Sequence, residues 1–249
     1  ERVPLVLARL RQRLWLMFTT NSDSCIHDFW YSMSWDVVLF DLDGTLTDSG
    51  LGVGNGVLYT LEKMGYPKPS DAELKKYLGP PLWTSFQDYA GMPESDTPEA
   101  VRLYREYYNE TGAYENSVYP GVPELLSKLV SDGKRVAVAT SKVDYAAINI
   151  LQHFNLDHFF DVIAGSDETG ELRGTKALVI AHALAELRMC DGTTIVMVGD
   201  REHDILGAKA HGIPGIGVLY GYGDRAELES AGALEVVSEV ADLERALYR

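Results

Sequence analysis

Cysteine is almost missing from this chain: Cys25 and Cys190 are the only two in 249 residues. Two thiols so far apart make neither a disulfide framework nor a zinc-binding spacing, so they read as buried or incidental and fit a reducing compartment, the cytoplasm. Long apolar runs are missing too. A bilayer-spanning helix needs roughly 20 consecutive apolar residues and no run approaches that, so the chain is expected not to span a membrane. Positive charge is scarce: 22 Lys and Arg face 37 Asp and Glu, a formal net charge of -15. With no Lys/Arg cluster to offset it, this charge argues against nucleic acid and anionic lipid as partners. It does not exclude a small anionic substrate, because a divalent cation and one or two lysines reverse the local field inside a cleft. Internal repeats and low-complexity tracts are also lacking.

Residues 1–34 differ from the rest of the chain, with a basic stretch from Arg9 to Arg13, a five-residue apolar run from Leu14 to Phe18 and then polar, irregular sequence. Five apolar residues are too few for a secretory signal. The segment is expected to be an N-terminal extension to the globular part, with Met33 a candidate natural start.

From Asp36 onward, short and almost wholly apolar runs alternate with stretches of helical periodicity, the pattern of strands covered on both faces and their crossover helices. A parallel α/β sheet is therefore predicted, with strands over 37–40, 136–139 and 195–198 and weaker candidates at 162–164 and 216–219. Residues 52–117 break the rhythm. They offer helices near 57–64, 72–77, 82–89 and 99–108 but no convincing strand, and read as a helical insertion. Gly50, Gly52, Gly54 and Gly56 at one border and Pro120-Gly121 at the other suit flexible connections. The alternative is that these helices simply cover the sheet. The expected organisation is thus a core of 35–51 and 118–249 with an inserted helical domain of 52–117.

Open parallel sheets bind ligands at the carboxyl ends of their strands. The residues found there are Asp41-Leu42-Asp43-Gly44-Thr45, then Thr140-Ser141-Lys142, then Gly199-Asp200 with Asp204 four residues later. Converging carboxylates raise one another's pKa unless a cation sits between them, and Mg²⁺ prefers a few carboxylates together with water and phosphate oxygens. Asp41 and Asp200 are the expected direct ligands, with Asp204 in support and the Asp43 carbonyl a further oxygen. Phosphoryl transfer requires positioning, charge neutralisation and an in-line nucleophile, which a carboxylate can supply by forming an acyl phosphate. Asp41 suits that role. Asp43, two residues on, suits the acid/base that protonates the leaving oxygen and deprotonates the attacking water. Thr140 and the backbone N–H groups of the next helix start would hold phosphate oxygens. Lys176, which opens a later helical stretch, would neutralise both phosphoryl group and nucleophile.

These residues, in this order, resemble the haloacid dehalogenase superfamily, and within it the phosphoglycolate-phosphatase-like hydrolases. Asp41-Leu42-Asp43-Gly44-Thr45 resembles the nucleophile motif, Thr140-Ser141 the second, Lys176 the third, and Gly199-Asp200 with Asp204 the acidic fourth, so that the resemblance runs from about Trp35 to the C-terminus. It implies a Rossmann-like core, Mg²⁺, a helical cap between the first and second motifs, and a small phosphorylated metabolite as substrate, held by Thr140, Ser141, Lys142 and Lys176. Gly79-Pro80-Pro81-Leu82 resembles a cap loop that approaches the active site. Arg201 departs from the small or polar residue common there, and Gly199-Asp200-Arg201-Glu202-His203-Asp204 looks like a subgroup labelled phosphoglycolate phosphatase or 5′-nucleotidase. Ser141-Lys142 and Gly217-Val218-Leu219-Tyr220-Gly221-Tyr222-Gly223 are similar to that subgroup as well. Asp43 argues against a true haloacid dehalogenase. A phosphosugar mutase and a catalytically silent binding protein on the same fold stay open as alternatives, and neither substrate nor oligomeric state is given by the sequence.

Overall fold

The computed structural model describes residues 35–249. The expectations for 1–34, including Met33 and Cys25, lie outside the described residues. Among the described residues there are eight strands, in chain order β1 (Val37–Phe40), β2 (Thr47–Asp48), β3 (Ser117–Val118), β4 (Arg135–Val143), β5 (Val162–Ser166), β6 (Ile195–Gly199), β7 (Gly215–Val218) and β8 (Glu235–Val237). Six of them form one sheet in the order β5-β4-β1-β6-β7-β8, with every neighbouring pair parallel.

The apolar runs are unbroken because the sheet is covered on both faces, and the period of two sorts their side chains. Val37, Leu39, Ala137, Ala139 and Met197 point to one face, where they pack on Val179, Ile180, Ala183 and Leu187 of the helix Lys176–Leu187. Val38, Phe40, Val136, Val138, Val196 and Val198 point to the other and meet Leu125, Leu126, Leu129 and Ile150. This is the predicted Rossmann-like α/β core.

The chain runs from β1 outward to β4 and β5, then returns to add β6, β7 and β8 on the opposite side. The order therefore reverses between β1 and β6, and a crevice opens beyond their carboxyl ends.

Between β2 and β3 lie α1 (Gly50–Met64), α2 (Asp71–Leu74), α3 (Leu82–Ala90) and α4 (Thr97–Glu110); after β3 come α5 (Val122–Ser131), α6 (Asp144–His153), α7 (Lys176–Leu187), α8 (Glu202–Lys209), α9 (Arg225–Ala231) and α10 (Val240–Leu247). The antiparallel pair β2–β3 matches Thr47 with Val118 and Asp48 with Ser117, bringing the two ends of the helical stretch together. Two expectations need correction. Gly50, Gly52, Gly54 and Gly56 are not a flexible border but the first turns of α1, and β4 continues through Thr140, Ser141 and Lys142 to Val143, with a register shift after Ala139. Among the described residues no helix is long and apolar enough to cross a membrane.

Candidate active site

Asp41 extends β1 by one residue: its N–H donates to the Val198 carbonyl at 2.9 Å, which fixes it beside the end of β6. The chain then turns. Gly44 has φ +85°, a conformation that suits glycine, and a Cβ there would stand 2.3 Å from Asp200 Oδ2. The Leu46 and Thr47 N–H groups close the turn on the Leu42 carbonyl at 2.9 and 3.0 Å, and the Thr45 hydroxyl donates to Asp200 Oδ1 at 3.3 Å. Asp200, at the end of β6, is fully buried; its Oδ2 accepts the Tyr222 N–H at 2.8 Å. Asp204, in the first turn of α8, accepts the Arg201 N–H on Oδ2 at 3.1 Å.

Lys176 is the first residue of α7, whose N-cap Thr175 accepts the Leu178 N–H on its hydroxyl. Its buried ammonium lies 2.8 Å from Asp41 Oδ1 and 2.7 Å from Asp204 Oδ1 and donates to the Ala139 carbonyl at 3.0 Å. Burial opposes the charge on Lys176, but Asp204 and Asp41 outweigh it and hold the ammonium above the usual lysine range. The carboxylates are less well served. Burial pushes Asp41 up to about 6, against the attraction of Lys176 and with Asp204 adding to the rise. Asp200 is raised well above the ordinary range by burial first, then by Asp204 and Asp41.

Three buried acids and one lysine leave an excess of negative charge. Asp41, Asp200 and Asp204 each offer a carboxylate oxygen within 4.8 Å of the others. Oδ1 of Asp41 and Oδ1 of Asp204 are buried and answered by the Lys176 ammonium alone. An all-oxygen, strongly anionic donor set of this spacing fits a hard divalent cation such as Mg²⁺.

Asp43 stands within the turn, and its Oδ2 lies 3.1 Å from Lys142 Nζ. The same ammonium donates to the Tyr108 hydroxyl of α4 at 2.8 Å. Burial opposes this charge as well, and Asp43 and the tyrosines beside it keep it above the usual range. Asp43 Oδ1 is buried without a hydrogen-bond partner. Thr140 is buried, with its hydroxyl accepting the Lys142 N–H at 3.2 Å. Asp41, Asp43, Thr140, Ser141 and Lys142 open together on a cavity of about 640 Å³ whose other wall carries Leu78, Trp83, Tyr104, Arg105 and Tyr108.

All eight predicted site residues thus gather at one end of the sheet: Asp41, Asp200, Asp204 and Lys176 in the buried cluster, and Asp43, Thr140, Ser141 and Lys142 along the cavity. Sequence reasoning missed Tyr108 and Arg105, whose helical spacing marks only an amphipathic face. It also gave no role to Thr45 or Tyr222, although both lie inside stretches it singled out.

A parallel α/β sheet with three buried carboxylates and a lysine at its switch point defines the class: a Rossmann-like fold whose site is built for a hard cation. The haloacid dehalogenase-like hydrolase family model matches residues 38–218. A 5′-nucleotidase of Pseudomonas aeruginosa is 40% identical over 210 residues, covering 84% of this chain and 94% of that protein. The tyrosine-protein kinase PtkA of Mycobacterium tuberculosis is 42% identical over 208 residues, 84% of this chain and 70% of that protein. The crystal structure of a "predicted phosphatase" from Clostridium acetobutylicum superposes with a TM-score of 0.81 at 42% identity, covering 86% of this chain and 98% of that one. Phosphoglycolate phosphatases stand among the further relatives. The chain belongs to the haloacid dehalogenase-like hydrolase family, and it is a phosphatase of that family.

Proposed function

We propose that the protein is a magnesium-dependent phosphatase that hydrolyses a small phosphomonoester through an aspartyl-phosphate on Asp41. The observation that carries this reading is the convergence of Asp41, Asp200 and Asp204 within 4.8 Å of one another, with Lys176 in ionic contact with two of them. Asp41 and Asp200 would hold Mg²⁺ directly, with Asp204 in support and the Asp43 carbonyl as a further oxygen; when bound there, the ion would supply positive charge against the phosphoryl oxygens.

Each half-reaction follows from the chain's own groups. An Asp41 carboxylate oxygen forms a bond to phosphorus as the ester P–O bond breaks, and the Asp43 carboxyl gives its proton to the departing alkoxide. Asp43 then takes a proton from the water that attacks the acyl phosphate, and phosphate leaves with Asp41 restored. Lys176, Thr140 and Ser141 bind the non-bridging oxygens. Lys142 orients Asp43 and meets the substrate at the cavity. Residues 52–117 act as a cap over a core of 35–51 and 118–249, and closure of the cap excludes water.

The substrate is phosphoglycolate-like in the first reading. A second, a 5′-nucleotide, is favoured by the cavity of about 640 Å³ with Tyr77, Trp83 and Tyr145 in its lining, and by the similarity to a 5′-nucleotidase. An exposed free thiol at Cys190 suits the reducing cytoplasm.

The test is hydrolysis of p-nitrophenyl phosphate with Mg²⁺, with EDTA, and by D41N, followed by a screen of phosphoglycolate, nucleoside monophosphates and sugar phosphates ranked by kcat/KM. EDTA is expected to abolish turnover, and D41N to lower it by roughly a thousandfold or more. Activity insensitive to both would refute the mechanism. A sugar bisphosphate isomerised without phosphate release would identify a mutase, and a silent binding protein would hydrolyse nothing.

A further inference from the structure

Arg201 and the segment Gly79-Pro80-Pro81-Leu82 take no part in the phosphoryl chemistry, and the fold brings them together. Arg201 links Asp200, at the end of β6, to the start of α8. Its Nε donates to Glu227 Oε1 of α9 at 2.8 Å, an oxygen that also accepts the Glu202 N–H at 2.8 Å, so the guanidinium plane is fixed on the core side. Its Nη1 points the other way and donates to the Leu78 carbonyl.

The loop fits closely around that contact. Gly79 has φ +105°, and a Cβ at this position would stand 2.8 Å from Arg201 Nη1. Only a residue without a side chain lets the backbone rest on the guanidinium in this conformation. Leu78, Gly79, Pro80, Pro81 and Leu82 all line the cavity onto which Asp41 and Thr140 open. Two prolines stiffen the segment, so its position depends on where its start is anchored.

We propose that Arg201 is a positioning residue that pins the 78–82 loop against the cavity and thereby sets how tightly phosphomonoesters bind. The proposal rests on the phosphatase reading and adds a specificity determinant to it. Arg201 acts through the loop and not on the reacting atoms. Arginine is required because its planar fork presents donors in two directions at once, to Glu227 and to Leu78, whereas a lysine ammonium on a flexible stem holds the ion pair alone.

The experiment compares the wild type, R201K and R201A by steady-state hydrolysis of p-nitrophenyl phosphate with Mg²⁺, by thermal melting, and by amide hydrogen exchange across residues 78–83. R201K is expected to melt like the wild type, because it keeps the pairing with Glu227. It should nevertheless raise KM about tenfold while kcat changes by less than about threefold, the loss of one charge-assisted hydrogen bond acting on binding. Exchange at 78–83 should be faster in both variants. An R201K protein indistinguishable from the wild type in KM and in exchange would overturn the proposal, since Arg201 would then serve the core alone. So would unchanged exchange at 78–83 in R201A. If R201A does not fold, R201K carries the decision. A wild type without magnesium-dependent turnover would refute the phosphatase reading, and the exchange data would still decide whether Arg201 holds the loop.

Discussion

A buried carboxylate is tolerated only while something offsets its charge, and Lys176 offsets Asp41 and Asp204 together, leaving Asp200 to the Tyr222 N–H and the Thr45 hydroxyl. The imbalance has a consequence for stability. Asp41 is raised from 3.8 to about 6 in the folded protein, and Asp200 is raised too. A carboxyl with a raised folded pKa holds its proton longer in the native state than in the unfolded chain, so its contribution is fully present below the unfolded value and is lost as pH climbs through the folded one. Groups with lowered values, such as Asp167 at about 2, act on the acid side of that window and with the opposite sign. The metal-free protein should therefore lose melting temperature as pH rises from about 5 to about 7, and Mg²⁺, which binds the ionised acids, should raise it more at about pH 7.5 than at about pH 5. Differential scanning fluorimetry with and without Mg²⁺ reads this directly; a stabilisation by Mg²⁺ that is equal at both pH values would contradict it. At this scale the sequence was informative: Asp41 and Thr140 each come directly after an apolar run, Asp200 follows another by a single glycine, and Lys176 opens a helix, positions set by local pattern. Tyr108 and Arg105 were not legible, because their approach to Lys142 and to the Glu168 carbonyl depends on how the inserted helices sit over the strand ends, which periodicity does not specify.

Glycines in α1 illustrate where element-level reading fails. Four glycines in alternation suggest a flexible joint by propensity, since each costs a helix about 1 kcal/mol relative to alanine. Tertiary packing overrides that cost here. A Cβ on Gly52 would stand 1.9 Å from the Gly112 carbonyl oxygen, and one on Gly56 2.8 Å from the Tyr104 ring; the glycines let α1 pack against α4 and the Gly112 backbone. G52A, which ought to favour an isolated helix, is expected instead to destabilise the protein by about 1–3 kcal/mol, because a backbone carbonyl cannot swing aside. Urea unfolding checks the sign, and a stabilised G52A would show that the close packing is dispensable. Strand limits failed in a milder way. Thr140, Ser141 and Lys142 are polar, so the apolar signal stopped at Ala139, yet β4 resumes its pairing with β5 at Val143, opposite Ser166, after an irregularity that spans these three residues.

Over the whole molecule, the alternation of apolar runs with helical stretches was enough to predict a parallel sheet covered on both faces. The order of its strands was not legible, because apolar runs of like composition carry little information about which neighbours they choose. That order matters most for function: the return from β5 to β6 puts the reversal beside β1, and so sets Asp41 and Asp200, 159 positions apart by their numbers, across one crevice. The proposed chemistry as a whole depends on Asp41 carrying the phosphoryl group. Acid-quenched turnover followed by peptide mass spectrometry tests this most directly. Phosphate is expected on the peptide containing Asp41, only when Mg²⁺ is present, and never in D41N; phosphate on another residue, or undiminished turnover with Asp41 replaced, would contradict it.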